Sequence, residues 1–172
     1  MSNSVYIGLL NPKSPSNVGS VLRAVGCYQA SAVRYTGERF DRAVKYHTDT
    51  KNAQDKTPLT HTKNLLADLP TNMQVVCVEL VEGAEPLPNF VHPDNALYVF
   101  GPEDKSLTQD IVDQADHVVF IPTKGCMNLA ATVNVVLYDR LSKTDQRVDA
   151  DSLIKQSRDA KNRLRVDVDK TD

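Results

Sequence analysis

The chain has 172 residues, 41% of them hydrophobic, and a formal net charge of −2 at pH 7. This size predicts a single globular domain, residues 1–172, and leaves little room for a second. No apolar run approaches the roughly 20 residues of a membrane helix, and the first residues lack the basic start and apolar run of a signal peptide. We therefore expect a cytoplasmic protein that does not contact membranes.

Charge is unevenly distributed along the chain. Residues 1–63 hold nine Lys and Arg against four Asp and Glu, residues 64–117 hold one against ten, and residues 155–165 hold five against one. A polyanion would meet the two ends and not the middle. Charge runs more often form only a solvated surface, so this pattern alone does not establish nucleic-acid binding.

Apolar segments bounded by turn-forming residues predict five strands, at 5–10, 31–37, 73–80, 96–101 and 117–122. Several are continuous apolar runs, as in strands of a parallel sheet that is covered on both faces.

Helical patterns alternate with these strands. Apolar stripes at helical spacing run through 18–25 and 129–137. Residues 63–69 and 106–115 predict shorter helices, the second with Ser106 as a candidate N-cap. Residues 149–166 predict a final basic helix with a frayed end. The alternation predicts an α/β fold with a mainly parallel sheet flanked by helices.

Three loops at predicted strand ends collect Gly, Pro and polar residues. Their sequences are "NPKSPSNVG", "GPED" and "PTKGCMN". In an open parallel sheet, ligands bind beyond the carboxyl ends of the strands. The three loops are therefore candidate ligand-binding segments. Neither GxGxxG nor GxxxxGK[ST] occurs, so the usual dinucleotide and P-loop arrangements are not predicted.

Each polar residue in these loops also has a structural interpretation. Asn17 could serve as an N-cap, Arg23 as a solvated side chain, and Glu103 as a dipole partner of a following helix. Cys126 could be a nucleophile, but no His lies near it in sequence, so we disfavour that role.

No metal site is predicted. The cysteines lack CxxC spacing and the histidines lack ligand spacing, so we expect reduced thiols and no metal. These residues are Cys27, Cys77, Cys126, His47, His61, His92 and His117.

Together, the three loops resemble the three motifs of the SpoU/TrmH family of RNA methyltransferases in the SPOUT superfamily. The matching segments are "NVGSVLRA" (17–24), "LYVFGPE" (97–103), and "IP" (121–122) followed by "CMNLAATVNVVLYD" (126–139). Their order and spacing agree with the family over residues 5–140.

The resemblance implies a C-terminal deep trefoil knot, an exception to the usual absence of knots. It also implies a homodimer, S-adenosylmethionine as cofactor, and methylation of a ribose 2′-hydroxyl in RNA. Transfer RNA is favoured over ribosomal RNA because small family members without an added RNA-binding domain often modify tRNA. By position, Asn17, Arg23 and Glu103 would face the reaction. The cofactor would be surrounded by Glu79, Leu80, Gly101, Ile121, Cys126, Met127 and Asn128.

Two departures from the family pattern leave alternatives open. Cys126 stands where the family usually has Ser, and the loop before it is shorter than usual. A non-catalytic RNA-binding member of the family, and an α/β protein that binds another small ligand, are the competing interpretations. For the enzyme, we expect Arg23 to bind a phosphate and orient the hydroxyl, because a guanidinium is a poor base at neutral pH.

Overall fold

The computed structural model describes residues 4–45, 57–144, 149–158, 164 and 166. These residues contain one sheet in the order β3-β2-β1-β6-β4-β7-β5, and all of its neighbouring strands are parallel. The strands are β1 Val5–Leu9, β2 Ala32–Tyr35, β3 Leu59–His61, β4 Gln74–Val78, β5 Glu85–Pro86, β6 Ala96–Phe100 and β7 His117–Phe120. The predicted mainly parallel sheet and its five strands are confirmed.

Burial explains which strands the sequence pattern indicates. All five residues of the central strand β6 are buried, and one apolar cluster covers each face of the sheet. The two strands that the pattern missed lie at the edges. β3 is largely exposed and β5 has only two residues, one of them Pro, so neither carries an apolar run.

Helices flank the sheet. They are α1 Pro15–Cys27, α2 Arg39–Val44, α3 Gln109–Asp113, α4 Leu129–Ser142 and α5 Ala150–Ser157, with a 3-10 turn at Leu87–Asn89. The two predicted apolar stripes are buried in α1 and α4, and these helices pack against each other. No helix in the described part of the chain is long and apolar enough to cross a bilayer.

Two of the predicted short helices are corrected, one by local hydrogen bonding and one by a contact with another segment. Residues 63–69 form turns instead of a helix: the Asn64 side chain accepts a hydrogen bond from the Leu66 amide, and Asp68 has a left-handed φ of 53°. In 106–115, only α3 is helical, and Thr108 rather than Ser106 occupies the N-cap position. The chain before it is diverted because the Leu107 amide bonds to a side chain of another segment.

The C-terminal helix is shorter than predicted. It ends at Ser157, because Arg158 has an extended backbone with ψ of 158°. Leu164 and Val166 are not helical, and the rest of 159–166 lies outside the described residues. α5 buries none of its residues, so no packing supports a longer helix.

A buried polar cluster fixes α4 against the sheet. Nδ1 of His92 lies 2.6 Å from the Tyr98 hydroxyl on β6, and Nε2 lies 2.8 Å from Asp139 on α4. Burial lowers the pKa of His92 and outweighs the opposing effect of Asp139, which favours a neutral ring. Since a carboxylate only accepts, Nε2 donates to Asp139 and Nδ1 accepts from Tyr98. This connection helps to set the position of α4, whose N-terminus enters the candidate site.

Candidate active site

The candidate site lies at the carboxyl edge of the sheet. β1, β6, β4 and β7 are consecutive neighbours in the sheet, so the loops that follow them meet at one edge. Three of these loops are the polar segments identified in the sequence. The fourth follows β4 and contains Glu79 and Leu80.

The start of α1 frees Asn17 for a contact with the other loops. Ser14 is the N-cap: its Oγ accepts a hydrogen bond from the Asn17 amide at 3.3 Å, and Pro15 occupies the first turn. The interpretation of Asn17 as the N-cap is therefore wrong. Its carboxamide instead leaves the helix and meets side chains from two other segments.

Asn17, Glu103 and Asn128 form one hydrogen-bonded chain. Nδ2 of Asn17 donates to Oε1 of Glu103 at 3.0 Å, and Nδ2 of Asn128 donates to Oδ1 of Asn17 at 3.0 Å. Oδ1 of Asn128 caps α4 by accepting from the amides of Ala130 and Ala131. One amide thus orients the next, and the start of α4 is tied to the start of α1.

The Glu103 carboxylate also holds the loop that precedes α1. It accepts hydrogen bonds from the amides of Lys13 at 2.8 Å and Ser14 at 3.0 Å. Burial raises the pKa of Glu103, but hydrogen bonds from Asn17 and from backbone amides lower it more, and the net pKa lies below the ordinary value. The group is therefore ionised at neutral pH and well supplied with donors. This geometry suits a positioning group better than an acid or a base.

Arg23 does not join this network. It lies on α1 six residues after Asn17, roughly 120° around the helix, and is exposed. Within the described residues its guanidinium has no hydrogen-bond or ion-pair partner. Of the three residues predicted to face the reaction, the structure brings Asn17 and Glu103 together and leaves Arg23 in solvent.

A pocket opens beside the network, between the ends of β4 and β7. It is lined by Val78, Glu79, Leu80, Phe120, Ile121, Thr123, Gly125, Cys126, Met127 and Thr132. Five of the seven residues predicted to surround a cofactor are in this lining, and Asn128 directly follows Met127. The other five lining residues were not predicted. Thr123 and Gly125 lie in the third polar loop, and Val78 and Phe120 end β4 and β7. Thr132 lies one turn into α4 and would have been found from helix geometry.

Gly101, the remaining predicted residue, does not line the pocket but lies close to Glu79, which does. A Cβ at this position would lie 3.3 Å from Oε2 of Glu79 and 3.2 Å from the Leu107 amide nitrogen. Oε2 of Glu79 accepts a hydrogen bond from that same amide at 2.8 Å, while Oε1 accepts from the Leu80 amide. Glycine therefore permits the loop after β6 to approach the Glu79 carboxylate closely.

The cysteines are free thiols with different environments. Cys27 and Cys126 are exposed, and Cys77 is buried in β4. Burial, with a smaller contribution from Glu79, raises the pKa of Cys77 to about 12, so this thiol stays protonated at neutral pH. Among the residues that the structure describes, no group of three or more His, Cys, Asp or Glu side chains could hold a metal ion. His47 lies outside those residues.

Comparison with known proteins identifies the family. A profile of the SpoU rRNA Methylase family matches residues 4–138, which is most of the chain. The chain belongs to the SpoU family. No relative was found among curated proteins.

Solved structures share the fold of this SpoU family member. The TrmH/SpoU tRNA modifying enzyme of A. aeolicus is 16% identical with a TM-score of 0.67, over 82% of this chain and 75% of that one. AviRb of Streptomyces viridochromogenes, solved with AdoMet, is 19% identical with a TM-score of 0.68, over 83% of this chain and 58% of that one. A structure concerning 2-OH methylation of C/U34 on tRNA is 21% identical with a TM-score of 0.64, over 82% of this chain and 91% of that one.

The match covers only part of several of these structures. The chain spans 56% to 62% of the AviRb and Sinorhizobium meliloti methyltransferase structures that it matches, so those proteins extend beyond the shared region. At such identities the likeness establishes the fold. AdoMet, the cofactor that the sequence resemblance predicts, is bound in two of these neighbours.

Proposed function

We propose that this protein is a cytoplasmic, S-adenosylmethionine-dependent RNA methyltransferase that modifies a ribose 2′-hydroxyl, with tRNA as its substrate. The observation that carries the proposal is the junction at Met127 and Asn128. Met127 lines the pocket and Asn128 belongs to the polar network, so a cofactor and a reacting hydroxyl could be held side by side.

The chemistry of the pocket fits S-adenosylmethionine. Val78, Leu80, Ile121 and Met127 supply apolar contacts for a flat ring. Gly125, at φ of 99°, marks a sharp turn in the pocket lining, and its carbonyl oxygen accepts a hydrogen bond from the Thr123 hydroxyl. When bound, the cofactor supplies an electrophilic methyl group on a sulfonium. The trefoil knot implied by the family resemblance would thread the segment that forms this pocket, and it stays a prediction.

Arg23 is proposed to act on the RNA. Its guanidinium is exposed and, within the described residues, unpaired, so it is available to a phosphate that approaches α1. A forked contact to that phosphate would orient the neighbouring 2′-hydroxyl. The hydroxyl proton would pass to a phosphate oxygen or to water, since Glu103 is held by three donors and a guanidinium accepts no proton.

Changing Arg23 to Ala tests this assignment. We expect loss of methyl transfer from labelled S-adenosylmethionine to tRNA, with nearly unchanged cofactor affinity, because Arg23 does not line the pocket. Arg23→Lys keeps the charge but removes the fork, so near-normal activity of that variant would argue against forked orientation. A fully active Arg23→Ala protein would refute the role.

The tRNA preference and the homodimer are supported by separate observations. The chain spans 91% of the neighbour that concerns 2-OH methylation of C/U34 on tRNA and 75% of the A. aeolicus tRNA modifying enzyme. Tyr138 and Leu141 on α4 are exposed apolar side chains that a second copy could cover. Mapping 2′-O-methyl groups in RNA from cells with and without the protein would identify the substrate, and sedimentation would give the subunit number.

One observation favours a second candidate, a non-catalytic RNA-binding protein. Cys126 replaces the usual Ser in a loop that is shorter than in the family pattern, and this change falls in the pocket lining. Calorimetry with S-adenosylmethionine separates the two candidates. Micromolar affinity supports the enzyme, and no binding supports the second candidate.

A further inference from the structure

Two cationic side chains meet at one carboxylate beside the polar network. The guanidinium of Arg39 forms a fork on Asp104, with Nη1 at 2.9 Å from Oδ1 and Nη2 at 2.8 Å from Oδ2. Nζ of Lys13 lies 3.9 Å from the same Oδ2. We call Lys13, Arg39 and Asp104 the Asp104 cluster. Asp104 directly follows Glu103 in the chain.

The Asp104 cluster is built into the loops of the candidate site. The Lys13 backbone amide donates to Glu103, whose carboxylate also binds Asn17. Nη1 of Arg39 also lies 3.5 Å from the Asn11 carbonyl oxygen in the loop before α1. The two cations are therefore positioned by the same loops as the proposed catalytic residues.

The two cations of the cluster share one carboxylate that a ligand can reach. Glu103 also interacts electrostatically with Arg39, but its own oxygens are already held by two backbone amides and by Asn17. Two cations face one anion, and the exposed fractions of the side chains are 64% for Lys13, 27% for Arg39 and 44% for Asp104. Such exposed ion pairs add little to folding stability. The fork that binds a carboxylate also fits two oxygens of a phosphate, and Arg is favoured where such planar two-point contacts matter.

A second ion pair at the same helix provides a contrast. Arg42 on α2 pairs with Glu38, the residue that precedes the helix, and both side chains are at least 70% exposed. This pair is local and one-to-one, and within the described residues neither side chain forms a hydrogen bond or ion pair with the loops of the candidate site. It therefore offers a matched control with the same residue chemistry.

We propose that Lys13 and Arg39 bind a phosphodiester of the substrate RNA, and that Asp104 occupies this phosphate site when RNA is absent. This inference rests on the proposed RNA methyltransferase function. An RNA must displace Asp104 before it gains the two cations, so a weakly or wrongly placed RNA is disfavoured. Asp104 thus acts as a specificity device by competing for the site.

The proposal predicts that removing either cation weakens RNA binding and that removing the Asp104 charge strengthens it. Binding of bulk tRNA would be measured across a salt series for the intact protein. We expect Arg39→Ala and Lys13→Ala each to weaken binding about tenfold and to reduce the salt slope by about 1. We expect Asp104→Asn to strengthen binding about threefold, because it removes the competitor. Lys13→Ala leaves α2 untouched and guards against a folding defect in Arg39→Ala.

Glu38→Gln and Arg42→Ala are the controls. They change net charge by the same amounts close to Arg39, and we expect tRNA affinity within about twofold of wild type. The phosphate site is refuted if Asp104→Asn and Arg39→Ala shift affinity in the same direction, as a purely structural ion pair would. Equal effects from the control pair would also refute it, because only overall charge would then matter.

The experiment also separates this inference from the function on which it rests. If the wild-type protein methylates tRNA but the variants show none of the predicted shifts in tRNA affinity, only the phosphate site is overturned. If the variants show the predicted shifts but the wild-type protein transfers no methyl group, the proposed enzymatic function is overturned and the phosphate site stands. Wild-type protein that does not bind tRNA overturns both.

Discussion

Replacing Glu103 with Gln tests whether its carboxylate works by holding two loops in place. One oxygen accepts from the Lys13 amide, and the other accepts from Ser14 and from Asn17. A Gln side chain has only one accepting oxygen, and its NH₂ group would face at least one backbone N–H. At least one of the three donors therefore loses its partner, while the size of the side chain is preserved.

The magnitude follows from those hydrogen bonds. A bond to a charged group contributes about 1.5–3 kcal/mol, and because Glu103 is exposed we take the low end, about 1.5 kcal/mol. If this energy holds Asn17 in its reactive placement, the rate of methyl transfer should fall about tenfold, since about 1.4 kcal/mol corresponds to a factor of ten. The affinity for S-adenosylmethionine should change less than about threefold, because Glu103 does not line the pocket.

Single-turnover transfer of a labelled methyl group to tRNA would measure the rate, and calorimetry would measure cofactor binding. Glu85→Gln on the edge strand β5 is the matched control, since Glu85 is exposed and outside the network. Full activity of Glu103→Gln would refute the loop-holding role. So would a loss of cofactor affinity as large as the loss of rate, because the effect would then lie in the pocket.

The pH dependence of stability provides a second readout of the same change. The pKa of Glu103 is lower in the folded protein than its ordinary value of 4.5. Its contribution is therefore fully present above that value and is lost as the pH falls through the folded pKa. We expect wild type to have a higher Tm than Glu103→Gln at pH 7 and the difference to shrink below pH 4.5. A difference independent of pH would show that the charge is unimportant.

Two further predictions concern the pocket and the loop after β2. Saturating S-adenosylmethionine should slow alkylation of Cys126 by about tenfold or more, since Cys126 lines the pocket, while exposed Cys27 on α1 should keep its rate. Mass spectrometry would measure both rates. Equal protection of the two cysteines, or protection of neither, would contradict the cofactor site. Gly37→Ala should lower the free energy of unfolding by about 2 kcal/mol or more, because φ is 77° and a Cβ would lie 2.2 Å from Oδ1 of Asn11. Gly83→Ala has a similar φ of 86° with open space around it, so urea unfolding should show a smaller loss there, and equal losses would exclude the clash.

Much of the fold was predictable because strands that are buried on both faces of the sheet appear in the sequence as continuous runs of apolar residues. β6 is buried throughout, and its run of apolar residues identified it. The error at 63–69 comes from local hydrogen bonding by Asn64, and other errors fall where tertiary contacts replace local ones. Leu107 precedes α3 and bonds to Glu79 from another segment, which no helical period reveals. The edge strand β5 owes its pairing to β7 and not to its own composition.

The candidate site was predictable to a different extent. Parallel strand ends share one edge, so the sequence indicated that Asn17, Glu103 and Asn128 would be near each other. It could not indicate that Ser14 caps α1 and so releases Asn17, because both residues are good caps. Helix spacing does place Arg23 roughly 120° around α1 from Asn17. The sequence could not indicate which side of α1 would face the network, because tertiary contacts decide how the helix packs.

The long sequence separations within the network bear on how the protein becomes active as it is made. Asn17 is 86 residues from Glu103 and 111 residues from Asn128. Closing such loops costs chain entropy before any contact repays it. On the ribosome, β1 and α1 emerge well before β6, so Asn17 cannot form its hydrogen bonds until most of the chain has been translated. We therefore expect methyl transfer to be among the last properties that a nascent chain acquires, which makes activity a sensitive indicator of completed folding.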